Sequence, residues 1–260
     1  MIRHYRVPGG RLGRYVGLFW LYEGYSVAHS RERLLPGATT EMVFELRAPA
    51  RGTASAVVAG PHSEYSVLDT SVTVSMIGVH FKAGGCFPFF GVPAAELHNL
   101  DVPLESLWGS RAAQAHERLL AAATADEKFD IIERMLLDAQ CETERHPAIA
   151  FALRELSAIP QRVNLAALAE RIGMSQRRFI ERFRSEVGMT PKLFARVQRF
   201  QGTIRAIQPL ADVDWAQVAA DCGYFDQAHL IHDFRGFAGL TPTEYLRARS
   251  EHLNHVPLRQ

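Results

Sequence analysis

The sequence predicts an α+β chain with a β-rich N-terminal domain, a helical connector and an all-α C-terminal domain. Three observations predict it. Short runs of branched and aromatic residues, broken by Gly and Pro, fill the first hundred positions. Near Ser110 the composition turns to Ala, Leu, Glu and Arg with apolar residues at helical spacing, and the last hundred or so residues contain an internal repeat. At 260 residues the chain exceeds the usual reach of one hydrophobic core. We therefore expect boundaries at 1–109, 110–145 and 146–260.

The β-rich part is read from Val16 to Tyr22, Glu41 to Arg47, Ala56 to Ala59 and Val72 to Phe81, with Pro36-Gly37 and Gly60-Pro61 as turns. Several short strands joined by turns suggest a small barrel or sandwich. In the last run Val72, Val74 and Met76 share one parity and Thr73 and Ser75 the other, so the valine side is expected to be the buried face. Arg111 to Ala123 and Asp126 to Cys141 read as two helices that pack on the strands or pair with another chain. His146-Pro147 marks the next boundary, because proline suits the first turn of a helix.

Composition excludes several classes. An apolar share of 47% and a charged share of 22% are those of an ordinary globular chain. No run has the length of a membrane span, and the N-terminus lacks the apolar core of a signal peptide. Three cysteines with no CxxC pair argue against a disulfide framework and a cysteine zinc site, so a reducing cytoplasm is expected. The net charge of +1 hides an asymmetry. Residues 147–260 carry 15 Lys+Arg against 11 Asp+Glu, whereas residues 1–146 carry 14 against 17. From Arg171 to Arg205 nine basic residues face only Glu181 and Glu186. A solvated helix face would explain this, and so would a polyanion partner.

The repeat favours the second reading. Ala169, Gly173, Phe179, Phe183-Arg184 and Gly188-Met189-Thr190-Pro191 recur as Ala219, Gly223, Leu230, Phe234-Arg235 and Gly239-Leu240-Thr241-Pro242. The glycine and proline stand five and eight residues beyond each Phe, and only the turn after Gly223 is one residue longer. Each copy has the physics of a helix-turn-helix unit. Leu165, Leu168, Ala169 and Ile172 line one helix face, Ala169 permits a close crossing, and Gly173 makes the turn. Ser175 is placed to cap the next helix, which buries Phe179 and Phe183 and leaves Gln176, Arg177, Arg178 and Glu181 outside. In the second copy Asp226 is the cap, and Gln227, Ala228, His229, Ile231 and His232 remain to face a groove. Leu193, Val197, Phe200, Ile204 and Ile207 make one long helix between the copies. With its basic surface, the tail reads as self-contained.

On these stretches, together with Leu168-Ala169, Gly173-Met174-Ser175, Gly223-Tyr224-Phe225-Asp226 and Thr243-Glu244-Tyr245, residues 147–249 resemble the AraC/XylS family of bacterial transcription regulators. Arg182 stands where that family usually has an apolar residue, and Gly202-Thr203 replaces its alanine-rich linker region. Leu35-Pro36-Gly37, Gly60-Pro61, Ile77-Gly78-Val79-His80-Phe81, Gly84-Gly85 and Leu107-Trp108-Gly109 resemble an uncharacterised, cupin-like β-rich domain found in front of such tails. The resemblance implies a cytoplasmic transcription regulator that is not an enzyme. Its partner would be double-stranded DNA, with RNA polymerase as a further one where it activates. Control would come through the N-terminal domain, by a small molecule or by homodimerisation.

Among the candidate DNA-binding residues, Arg177 and Arg178 suit guanine edges or phosphates equally, and Gln227 suits adenine. His229 and His232, like His252 and His255, form a bare HxxH without a third ligand, so no metal is expected. A rival reading makes the N-terminal domain a catalytic metal cupin with a regulatory tail. That chemistry would need an HxH strand, whereas His62 and His80 are isolated. No phosphate loop and no GxSxG occurs, and neither cofactor nor catalytic residue is expected. Cys86 reads as an inert small side chain. Phe19, Trp20, Tyr22, Phe89 and Phe90 are either core or the wall of a ligand pocket.

Overall fold

The computed structural model describes residues 2–47, 54–141, 145–158, 164–210 and 212–258. Its strands are β1 (Ile2–Arg6), β2 (Val16–Tyr25), β3 (Arg31–Leu34), β4 (Glu41–Glu45), β5 (Ala56–Ala59), β6 (Ser66–Asp69), β7 (Val74–Phe81), β8 (Asp101–Pro103) and β9 (His255–Pro257). Six form an antiparallel sheet in the order β1-β2-β7-β4-β5-β8, and three form a second sheet in the order β6-β3-β9. The helices are α1 (Leu104–Trp108), α2 (Ser110–Ala121), α3 (Ala125–Ala139), α4 (Pro147–Ala158), α5 (Leu165–Arg171), α6 (Gln176–Val187), α7 (Pro191–Ile207), α8 (Trp215–Asp221), α9 (Gln227–Ala238) and α10 (Pro242–Ala248).

The larger sheet buries alternate residues. Phe19 and Leu21 of β2, Met42 and Phe44 of β4, and Ile77, Val79 and Phe81 of β7 share a core with Trp108, Leu119, Phe129, Ile132 and Leu136 from α1–α3. Helices therefore close the core where a barrel or sandwich would use strands. The segment expected as a connector packs on the β-rich part, and its boundary with the tail adjoins residues 142–144, outside the described residues. The parity expected for β7 is reversed. Val72 is exposed, while Ile77, Val79 and Phe81 are buried. The even-numbered side continues as Gly78 and His80, and the missing side chain at Gly78 leaves room for the Trp20 ring, which a Cβ there would approach to 2.3 Å. Phe19, Phe89 and Phe90 are core, whereas Trp20 and Tyr22 lie on the half-exposed opposite face.

The smaller sheet ties the two ends of the chain together. β9 pairs with β3, and the buried Glu32 carboxylate accepts from His255 Nδ1 at 2.6 Å and His29 Nε2 at 3.0 Å. Leu35 and Ala38, just after β3, belong to the core of the tail, with Phe183, Phe200, Phe234 and Tyr245. Gln201 Nε2 of α7 donates to the Pro36 carbonyl at 2.7 Å. The tail is therefore not self-contained, contrary to the expectation from its sequence, because part of its apolar surface is covered from positions more than a hundred residues upstream.

A second contact reaches the same region from the segment after β5. Gly188 and Gly239, repeat equivalents, cap the C-termini of α6 and α9 at φ values of 94° and 64°. A Cβ at Gly188 would lie 2.3 Å from Pro61 Cγ, and one at Gly239 2.4 Å from Tyr65 Cε1. Both sites thus need glycine for backbone conformation and for close approach.

Leu35 is 3% exposed, and its truncation leaves a cavity in the tail. Leu35→Ala should destabilise the intact chain by about 2–5 kcal/mol in urea denaturation followed by the signal of Trp215, which packs on that core. A near-neutral result would show that the upstream segment merely rests on the tail.

Candidate nucleic-acid interface

Two short helix pairs have one build. In the first, α5 buries Leu168 and Ala169 against α6, which buries Phe179 and Phe183. In the second, α8 buries Val218 and Ala219 against α9, which buries Leu230 and Phe234. The alanines let the paired helices cross closely, and Gly173 and Gly223 turn the chain between them with positive φ. Ser175 Oγ accepts from Arg178 N at 3.3 Å, and Asp226 Oδ1 from His229 N at 2.7 Å, so both second helices start at the expected caps.

Both pairs are fixed to α7. Phe194 packs edge-on against Phe183, with ring centres 5.6 Å apart, while Phe200 contacts Phe234 and Phe237 at 5.0 and 5.1 Å. One rigid helix thus supplies the centre of each unit. A buried ion cluster locks the second. Asp233, 2% exposed, accepts from Arg196 Nη2 at 2.7 Å and Arg199 Nη2 at 2.9 Å. Burial pushes its carboxyl pKa up, but the two arginines outweigh burial and hold it below the ordinary aspartate value. In the first unit Arg182, the departure noted in the sequence, donates at 2.6 Å to the fully buried Glu186. A charged pair thus stands where packing was expected.

The expected reading residues fall into two groups. Ser175, Gln176, Arg177, Arg178 and Glu181 are exposed at the start of α6, and Asp226, Gln227, Ala228 and His232 at the start of α9. His229 and Ile231 are half-buried. The His229 ring stands edge-on to Tyr224 at 5.3 Å, and its Nδ1 accepts from Phe225 N at 3.3 Å, so it braces the turn. Ile231 packs on the tail core. Arg177 Nε donates to Glu181 at 2.9 Å, but its side chain is 89% exposed. A pair lying in water is weak and readily exchanged for another acceptor. Sequence reasoning passed over Phe225, which is 92% exposed directly before the Asp226 cap. It also passed over the roles of Arg196 and Arg199, whose partner is distant in sequence. Exposed N–H groups at a helix start beside basic side chains suit phosphate oxygens and base edges.

Among the described residues, no group of three His, Cys, Asp or Glu side chains is arranged to hold a metal ion. His62 Nε2 lies 3.2 Å from Asp101, and His80 Nδ1 pairs with Glu41. Burial raises the Cys86 thiol pKa. No helix of the described residues is long and apolar enough to cross a membrane.

Residues 168–248 match the family described as a helix-turn-helix domain, and residues 4–103 match a domain of unknown function (DUF6597). Residues 168–248 thus form a helix-turn-helix domain. Over 87 residues the chain is 32% identical to the HTH-type transcriptional regulator GadX of two Escherichia coli strains, O6:H1 and O127:H6. The match covers 28% of this chain, and the chain spans about a third (32%) of the length of those relatives. Among solved structures, the DNA-binding domain of AdpA in complex with a target DNA is 29% identical. That match covers 40% of this chain and 93% of AdpA's, with a TM-score of 0.36. An apo ToxT from Vibrio cholerae is 10% identical, covering 88% of this chain and 97% of its own, with a TM-score of 0.45.

Asp233→Ala in the helix-turn-helix tail leaves Arg199 inside without its counter-ion and should cost roughly 3–5 kcal/mol. Because the folded carboxyl pKa is depressed, its stabilisation is complete above about pH 4 and is lost as the pH falls through the folded value. Denaturant titrations from pH 6 to pH 2 should show an acid-side loss in the wild type that shrinks in Asp233→Ala. Parallel pH profiles would contradict the role given to this carboxylate.

Proposed function

We propose that the protein is a sequence-specific DNA-binding transcription regulator of the AraC/XylS type, and a regulator rather than an enzyme. One observation carries the reading: two helix-turn-helix units of the same build are joined by α7 and expose polar side chains, Arg177 and Arg178 among them, at the capped starts of α6 and α9. The match of residues 168–248 and the named function of the Escherichia coli relatives support it. The starts of α6 and α9 enter successive major-groove segments on one face of the duplex. Arg177 and Gln227 read bases, and Arg178 and Gln176 anchor the backbone.

The N-terminal body, extended to include α1–α3, adjusts this occupancy by binding a small molecule or a second copy of the chain. Its route is the pair of contacts through Leu35 and Ala38 and through Pro61 and Tyr65. The division between the bodies lies near residue 145, and the site of action is the cytoplasm. Where the protein activates, RNA polymerase is the further partner.

Selection of binding sites from random duplexes tests the reading. Arg177→Ala should relax preference at one end of the selected site and Gln227→Ala at the other, each by about tenfold in discrimination. An arginine that touches only phosphate would instead weaken all sequences alike and lower the salt slope by about one. Unchanged preferences at both ends, in both variants, would overturn the assigned reading face.

A further inference from the structure

A cleft of about 610 Å³ opens where the N-terminal body meets α4. Arg14 and Lys82 line it from one side, Arg145 and Arg154 from the other, and Tyr15 and Leu153 supply apolar surface. No aspartate or glutamate is among its described lining residues. Four cations converging on one cleft repel each other unless something neutralises them, and the local partners account for little. Lys82 Nζ donates to the Gly13 carbonyl at 2.6 Å, which uses one of its three protons. Arg154 stacks over Phe151, its guanidinium carbon 5.7 Å from the ring centre.

Arg145 is the most telling. Among the described residues its Nε and Nη2 are buried with no hydrogen-bond partner, and its guanidinium lies over the Tyr15 ring at 5.8 Å. Burial pushes its pKa down, and Glu186, whose charge opposes that shift, is already occupied by Arg182 and the His146 N–H. Leaving charged donors unsatisfied in a seam is costly, and a ligand supplying oxygens would relieve it.

The cleft is separate from the reading face. Ala83 lines it, and the neighbouring Gly84 backs onto Leu153 of α4 and onto Glu186 and Val187 at the C-terminal end of α6. Arg177 stands nine residues earlier, about 14 Å along the helix axis.

We propose that this cleft binds an organic anion of metabolite size. Its carboxylate or phosphate oxygens meet Arg145, Lys82, Arg154 and Arg14, and its apolar body lies on Tyr15 and Leu153. Such a ligand bridges the N-terminal body and the first helix of the tail. Its influence on DNA occupancy rests on the function proposed above, whereas its binding does not.

The test uses the full chain without DNA, titrated calorimetrically with 1-naphthyl phosphate, 1-naphthoate and the uncharged 1-naphthol. One or both anions should saturate a single site, the tighter one naming the anionic group, and naphthol should not. Arg14 and Arg154 are solvent-exposed, so Arg14→Met and Arg154→Met preserve the fold, and each should weaken anion binding about tenfold. Arg145→Met should weaken it further. Absence of binding by both anions, equal binding of naphthol, or unchanged affinity in the Arg14/Arg154 double variant would overturn the proposal. So would a double variant with a reduced salt slope for DNA while neither anion binds, since the cations would then belong to the DNA surface.

Discussion

Gly188 and Gly239 occupy the same place in the two repeats, and both are held by one short stretch of the N-terminal body. Pro61 and Tyr65, four residues apart, rest where a side chain on either glycine would stand. On the inner side Phe194 and Phe200, six residues apart on α7, anchor the same two units. A rise of 1.5 Å per residue sets these anchors about 9 Å apart along the helix. The relative placement of α6 and α9 is therefore fixed twice, from inside by a helix and from outside by a loop. The proposed DNA binding depends on that spacing, because two helices that drift cannot share one face of a duplex.

The double fixing explains why the chain divides imperfectly into independent parts. Leu35 and Ala38 fill the tail core, β9 returns to pair with β3, and Gln201 holds the Pro36 carbonyl. Under the proposed function, a change in the N-terminal body would reach α6 and α9 through these packed atoms. The cationic cleft lies on the same seam, beside the C-terminal end of α6. Ligand binding there and DNA binding at the other end of α6 would be linked reciprocally.

Local features were legible in the sequence and distant ones were not. Ser175 and Asp226 cap the helices expected of them, and the buried Phe179, Phe183, Leu230 and Phe234 follow from helical spacing. The strand Ala56–Ala59 was readable from its branched residues alone. Strands β3, β6 and β9 were not, because Arg31–Leu34 and Ser66–Asp69 are polar runs stabilised by pairing with partners far away in sequence. The face of β7 was misread because the window Val72–Met76 lies before the residues that decide it, Gly78 and His80. His229 was expected in the groove, yet Tyr224 and the Phe225 N–H draw it into the turn. The role of Asp233 was not legible, because its two arginine partners come from α7, 37 and 34 residues earlier.

Hydroxyl-radical footprinting of the intact chain on its selected duplex tests the central claim most directly, since it reports where both units lie at once. The account predicts two protected patches on one face of the DNA, about one helical turn (~10 bp) apart, which fade together as salt is raised. A single patch, or two patches whose spacing varies between selected sites, would contradict a pair of reading helices held rigidly by α7 and the loop above it.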